Sequence, residues 1–146
     1  MPSELTLRAL HQGGMRVRVE TDAHAVMTDY PLQPGQQTEG MTSLQLLLAS
    51  LATCGANGLM LLLARRMKLA VTGLEVEARA ERRDEHPTVL TRIELLFRVR
   101  GRGLEEGQVA QALHIAESQL CPVWAMLKGG TPIEARFVIQ DEAQAG

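Results

Sequence analysis

Aromatic side chains are scarce in this chain: Trp124, Tyr30, Phe97 and Phe137 make up 3% of its 146 residues. Basic charge is not in excess either, with 15 Lys and Arg against 17 Asp and Glu and a net charge of -2. Nucleic-acid recognition needs a basic face and stacking rings, so that class of partner is excluded. Cysteine is limited to Cys54 and Cys121, 67 positions apart, with no CxxC and no Cys/His spacing that suits zinc. Neither a metal site nor any other cofactor is expected. The chain also lacks a phosphate-cradling glycine loop, a GxSxG elbow and an HExxH pair. The opening Met1-Pro2-Ser3-Glu4-Leu5 has no basic segment followed by an apolar run. It predicts a chain without a secretory signal, held in the reducing cytoplasm, where two cysteines are reactive or buried rather than a structural staple.

What is present suits one globular domain over residues 1–146, with 45% apolar against 22% charged residues. Leu5, Leu7 and Ala9 alternate with polar neighbours, Gly13-Gly14 turns the chain, and Met15, Val17 and Val19 alternate with Arg16, Arg18 and Glu20. This predicts a hairpin, followed by a third short strand near Ala25 to Thr28. Residues 30–41 carry two Pro and two Gly and read as a loop. A long helix is predicted from Thr42 to about Met67, opened by the capping box Thr42-x-x-Gln45 and closed by Arg65, Arg66 and Lys68. Two strands around Leu74–Ala80 and Ile93–Val99 alternate cleanly and flank the polar turn Arg82–Pro87, predicting a hairpin with one wet face. A second helix is expected over Glu105–Leu120, a third short one from Pro122, and a last strand over Ile133–Ile139.

The 21 residues from Leu44 to Ala64 carry no charge, which is the length of a membrane span. Gln45, Ser50, Thr53, Asn57, two glycines and the flanking alternating hairpins favour a buried helix instead, and no membrane association is expected. A helix apolar nearly all round must be enclosed on every side, and six short strands with one other good helix are too few to do so. Burial alone therefore predicts an obligate dimer in which two chains wrap their sheets around paired central helices.

Cys54 lies mid-helix beside Gly55, Ala56, Asn57 and Gly58, and two readings of this setting stand. The small residues leave room for a ligand, or they serve close helix packing around a core cysteine. Cys121 precedes Pro122, so its thiol sits at a helix N-terminus where thiolate is favoured, or it merely ends the preceding helix. His114, Glu117 and Cys121 share a helix face, which reads as a solvated stripe more readily than as a relay. Arg16 and Arg18 lie on the polar side of their strand, and His11, His24 and His86 take no role.

The run from Gly40 to Cys54, Gly-Met-Thr-Ser-Leu-Gln-Leu-Leu-Leu-Ala-Ser-Leu-Ala-Thr-Cys, resembles the segment that leads to the first cysteine in the OsmC/Ohr family of osmotically inducible and organic hydroperoxide resistance proteins. Leu120-Cys121-Pro122-Val123 resembles that family's second cysteine motif. Asp29, Pro31 and Gly35 resemble its loop before the helix, and Gly14-Met15-Arg16 its N-terminal glycine-arginine region. The resemblance implies an α+β, OsmC-like fold, with antiparallel sheets wrapped around long central helices in an intertwined homodimer. It also implies a thiol-dependent peroxidase for oxidative-stress defence, with organic hydroperoxide as substrate. Cys54 attacks the peroxide, Cys121 resolves the sulfenic acid to a disulfide, and an external dithiol restores both thiols. An arginine holds the nucleophile as thiolate, with Arg16 as first candidate and Arg18 as second. The chain departs from the pattern at Met41 and Ser43, where the motif has proline, and at Gln45, where it has glutamate. Counting back by the spacing of the hydroperoxide-resistance branch reaches Leu44, so neither alignment supplies a carboxylate. These departures indicate a divergent branch and motivate the alternative of a noncatalytic dimer that binds a small apolar or thiol ligand in the same pocket.

Overall fold

The computed structural model describes residues 4–142. The chain divides into two compact units, one up to Leu47 and one from Leu48. The first holds three short strands, β1 (Arg8–His11), β2 (Val17–Glu20) and β3 (Ala25–Thr28), in an antiparallel sheet of that order. Gly13 and Gly14 take positive φ of 103° and 59° at the first turn, a backbone region that glycine enters without a Cβ clash. The chain returns to this sheet at Met41, which bridges Thr28 in parallel, and a Cβ on the intervening Gly40 would collide with the Met27 carbonyl oxygen. No described residue of this unit is fully buried.

Helix α1 (Ser43–Met60) continues into a wider π-helical turn, Leu61–Arg66, so the helical stretch ends one residue short of the predicted Met67. Its start is the predicted capping box: the Thr42 N–H donates to Gln45 Oε1 at 2.9 Å, and the Gln45 N–H donates to Thr42 Oγ1 at 3.2 Å. The second unit then forms its sheet from β4 (Ala70–Arg82), β5 (Leu90–Arg102) and β6 (Ile133–Asp141). Between β5 and β6 run α2 (Glu106–Ile115), a π-helical turn to Leu120, and α3 (Pro122–Leu127). The β4/β5 hairpin is antiparallel as expected, with 13 residues in each strand. One pairing differs from the antiparallel expectation: β6 runs parallel to β5, from Ile93 opposite Ile133 to Gly101 opposite Asp141. The cause is the α2–α3 crossover, which carries the chain back to the end of the sheet where β5 began.

Alternation along β5 buries Ile93, Leu95, Phe97 and Val99 on one face. They pack with Leu51, Leu59 and Leu63 of the helical stretch, Val109 and Ala112 of α2, and Trp124 of α3. The opposite face is the predicted wet one. There Arg98 bridges Glu75 and Glu77, and Arg92 bridges Glu94 and Glu134. The stretch Ser43–Arg66 is long and apolar enough to cross a membrane by length and composition alone. Leu51, Gly55 and Leu59 are its buried face within α1, whereas Thr53, Asn57 and Leu61 are exposed on a single chain.

Candidate functional site

In the second unit the two cysteines come together. Cys54 is half-buried on α1 and Cys121 is buried at the corner between α2 and α3, and the two are near enough for Cys54 to act on the Cys121 thiol. Both readings of Cys121 hold at once. Its N–H donates to the Ala116 carbonyl at 2.9 Å, ending the preceding helix, and its Sγ accepts the Trp124 N–H at 3.4 Å, capping the next. The expected thiolate bias at a helix start is overridden, however. Burial in the core, reinforced by the hydrogen bond to Cys54, pushes the Cys121 thiol up from 9.0 to about 11 against the opposing pull of the Trp124 and Val123 N–H groups. Cys121 therefore keeps its proton at neutral pH.

This sets a pH dependence of stability. Below pH 9 the thiol is protonated whether the chain is folded or not, so the folded state keeps its full advantage there. Between about pH 9 and 11 the unfolded chain sheds the proton while the folded one retains it, and stability falls with rising pH. Urea midpoints measured under reducing conditions at pH 8 and pH 10.5 should show a drop that shrinks in Cys121→Ala. Equal drops in both proteins would contradict this origin.

The small residues beside Cys54 are occupied by packing. A Cβ at Gly55 would lie 3.1 Å from Phe97 Cζ and 4.0 Å from Trp124 Cζ3, and one at Gly58 would lie 3.4 Å from Ala116 Cβ. The room that the sequence leaves on those sides is filled by two aromatic rings and a methyl group. Trp124 is 1% exposed, and its indole Nε1 has no hydrogen-bond partner among the described residues. The expected solvated stripe proves to be one wall of a groove: His114 and Glu117 line about 520 Å³ of space between α2 and β6, with Leu113, Trp124, Ile133 and Phe137. The groups that act on Cys121 are Cys54, Trp124 and Val123, and Glu117 lines a smaller hollow together with Cys121. Among the described residues no three His, Cys, Asp or Glu side chains gather to hold a metal ion.

In the first unit the two candidate arginines are engaged differently. Arg18 pairs with Glu20 at 3.1 Å, and Arg8 reaches the same carboxylate at 3.0 Å. The Arg18 hydrogen bond is the main reason the Glu20 carboxyl lies below its usual range. Arg16 donates from Nη2 to the Gln12 carbonyl at 3.3 Å and pairs through Nε with Glu39 Oε2 at 3.4 Å. Glu39 is a partner of Arg16 that the motif comparison misses. The available signal was its place as the last charge before the uncharged run. Its own N–H donates to Asp29 Oδ2 at 3.0 Å, and the Tyr30 N–H donates to Asp29 Oδ1 at 2.8 Å. These two bonds, with Arg16 nearby, hold the Asp29 carboxyl below its usual range. Gln45 is spent on the capping box, and among the described residues no hydrogen bond links it to an arginine.

The sequence profile of the OsmC-like proteins matches residues 35–136. The chain belongs to the OsmC-like protein family. Among curated relatives, Protein YhfA of Escherichia coli K12 is 35% identical over 69 residues, which cover 47% of this chain. The match spans about half the length of that relative, 52%. Among solved structures, an OsmC-like protein from Mycoplasma pneumoniae superposes with a TM-score of 0.79 at 17% identity, covering 96% of this chain and 98% of its own. An organic hydroperoxide resistance protein from Elizabethkingia anophelis superposes with a TM-score of 0.66 at 19% identity, covering 97% and 99%. At these identities the structures establish an OsmC-like α+β fold for this chain, and the low values agree with a divergent branch.

Proposed function

We propose that this OsmC-like protein is a thiol-dependent peroxidase that reduces organic hydroperoxides. The supporting observation is the proximity of Cys54 and Cys121, two residues 67 positions apart in the sequence that the fold brings near enough to influence each other. The resemblance gives the nucleophilic role to Cys54, and the raised Cys121 thiol fits that order. The Cys54 thiolate attacks the distal peroxide oxygen, the O–O bond breaks, and the alcohol leaves after taking up a proton. Cys54 is then a sulfenic acid. Cys121 condenses with it, releasing water and forming a disulfide before a second peroxide overoxidises the first sulfur. An external dithiol reduces the disulfide by exchange, which suits a reducing compartment such as the cytoplasm. By the resemblance an arginine holds the nucleophile as thiolate, with Arg16 as first candidate and Arg18 as second; each pairs with a carboxylate, Glu39 and Glu20 respectively.

We also infer a homodimer. A three-stranded sheet with no buried residue and a central helix with exposed Thr53, Asn57 and Leu61 both call for cover from a second chain. A noncatalytic, ligand-binding dimer is the competing reading, favoured by Gln45 being tied into its capping box.

One experiment separates the two. Reduced protein is treated with stoichiometric cumene hydroperoxide, then analysed by intact mass and thiol counting under denaturing conditions. The expected result is loss of both thiols with a fall of about two mass units per chain, in a particle whose native mass is that of two chains. Persistence of both thiols would remove the peroxidase reading.

A further inference from the structure

The groove between α2 and β6 is not used by the proposed peroxidase reaction. Its walls are Leu113 from α2 and Ile133 and Phe137 from β6, and its floor is Trp124 of α3. The charged side chains along it are Glu117 and Arg136, one of each sign. The groove therefore favours neither an anion nor a cation, and its interior surface is apolar.

One polar atom in that floor is unmatched. Trp124 is 1% exposed, and its Nε1–H has no acceptor among the described residues. A buried indole N–H ordinarily finds one, because water cannot serve it there. The neighbours of the ring fix which way this donor faces. The Cζ3 corner lies toward α1, 4.0 Å from where a Cβ on Gly55 would stand. In an indole, Cζ3 is diagonal across the six-membered ring from Cε2, the carbon bonded to Nε1, so the N–H edge points away from α1. Among the described residues that line the groove none belongs to α1, and the edge turned away from α1 is the one turned toward the groove.

We propose that this groove is a binding site for a small neutral molecule with an apolar body and a carbonyl oxygen. The oxygen accepts the Trp124 Nε1–H, and the body lies against Leu113, Ile133 and Phe137. The space of about 520 Å³ falls within the range of small-molecule sites, about 300–1,000 Å³. An ionic ligand fits less well, since it would give up its water without meeting an unopposed countercharge.

Trp124 is the sole tryptophan, so a nitrogen-labelled chain gives one indole N–H resonance in a proton–nitrogen correlation spectrum. The probe is acetophenone, and its control is ethylbenzene, similar in size but without the oxygen. Acetophenone is expected to move the indole proton downfield in a saturable way. The ratio of acetophenone to ethylbenzene affinity isolates the hydrogen bond, because the two probes lose the same water whichever variant they bind. By calorimetry this ratio should fall about tenfold from the parent to Trp124→Phe. Ala110→Trp, at an exposed position on the groove wall, should abolish acetophenone binding and leave the urea midpoint unchanged. An unchanged ratio in Trp124→Phe, or undiminished binding by Ala110→Trp, overturns the proposal. So does the absence of any saturable shift in the native particle, which would mean that a second chain fills the groove. None of these readouts involves a thiol or a peroxide, so they are independent of the peroxidase reading.

Discussion

Cys54→Ser is expected to lower organic hydroperoxide consumption by at least about a thousandfold, because it removes the only group assigned to form a bond to peroxide oxygen. Serine keeps the volume and the hydrogen bonding of the site, but its hydroxyl is not ionised at neutral pH and does not carry the reaction through an oxidised sulfur. Cys121→Ser should behave differently. Its first turnover proceeds, Cys54 accumulates as a sulfenic acid that dimedone traps, and further peroxide converts it to the sulfinic acid. Single-turnover peroxide consumption, followed by mass analysis, distinguishes the two variants. If Cys54→Ser retains wild-type turnover, or if Cys121→Ser alone abolishes the first turnover, the assignment of roles is wrong.

The largest expected loss of stability is at Trp124. Truncation to alanine should cost about 3–5 kcal/mol, the range for deleting a fully buried aromatic side chain. The ring covers Gly55, adjoins Phe97 and closes the floor of the groove between α2 and β6. Trp124→Phe supplies the control. It keeps most of the ring and removes an indole N–H that lacks a partner, and a buried donor without a partner costs about 1–3 kcal/mol. Its expected cost is therefore well below that of alanine, under about 1.5 kcal/mol. Urea unfolding of the reduced proteins measures both. Equal losses for the two variants would mean that the indole N–H is satisfied by water or by a second chain.

Much of the architecture was legible in residue periodicity. Ile93, Leu95, Phe97 and Val99 alternate with charge and form the buried face of β5. Thr42 and Gln45 marked the helix start that the structure shows, and Arg65 and Arg66 marked its end. The direction of β6 was not legible in this way, because alternation reads the same in either sense. The cue lay in the long helical crossover between β5 and β6, which is the kind of connection that parallel neighbours require.

The candidate site divides along the same lines. Cys54 and Cys121 were visible as residues, and the capping role of Gln45 as a spacing. That Cys121 is held protonated depends on how deeply the corner between α2 and α3 is packed, and local sequence does not carry that depth. The Arg16–Glu39 pair joins two positions 23 residues apart through the fold of a loop, and motif alignment directed attention to position 45 instead.

The charged face of the second sheet has a kinetic consequence. Arg98 and Arg92 each bridge two carboxylates, and Arg79 and Arg136 on the same face bring four arginines level with Glu75, Glu77, Glu94 and Glu134, so these groups together project little field beyond one Debye length. A molecule arriving from solution is neither drawn in nor turned away by it. A charged solute therefore meets this face at a rate that depends little on ionic strength.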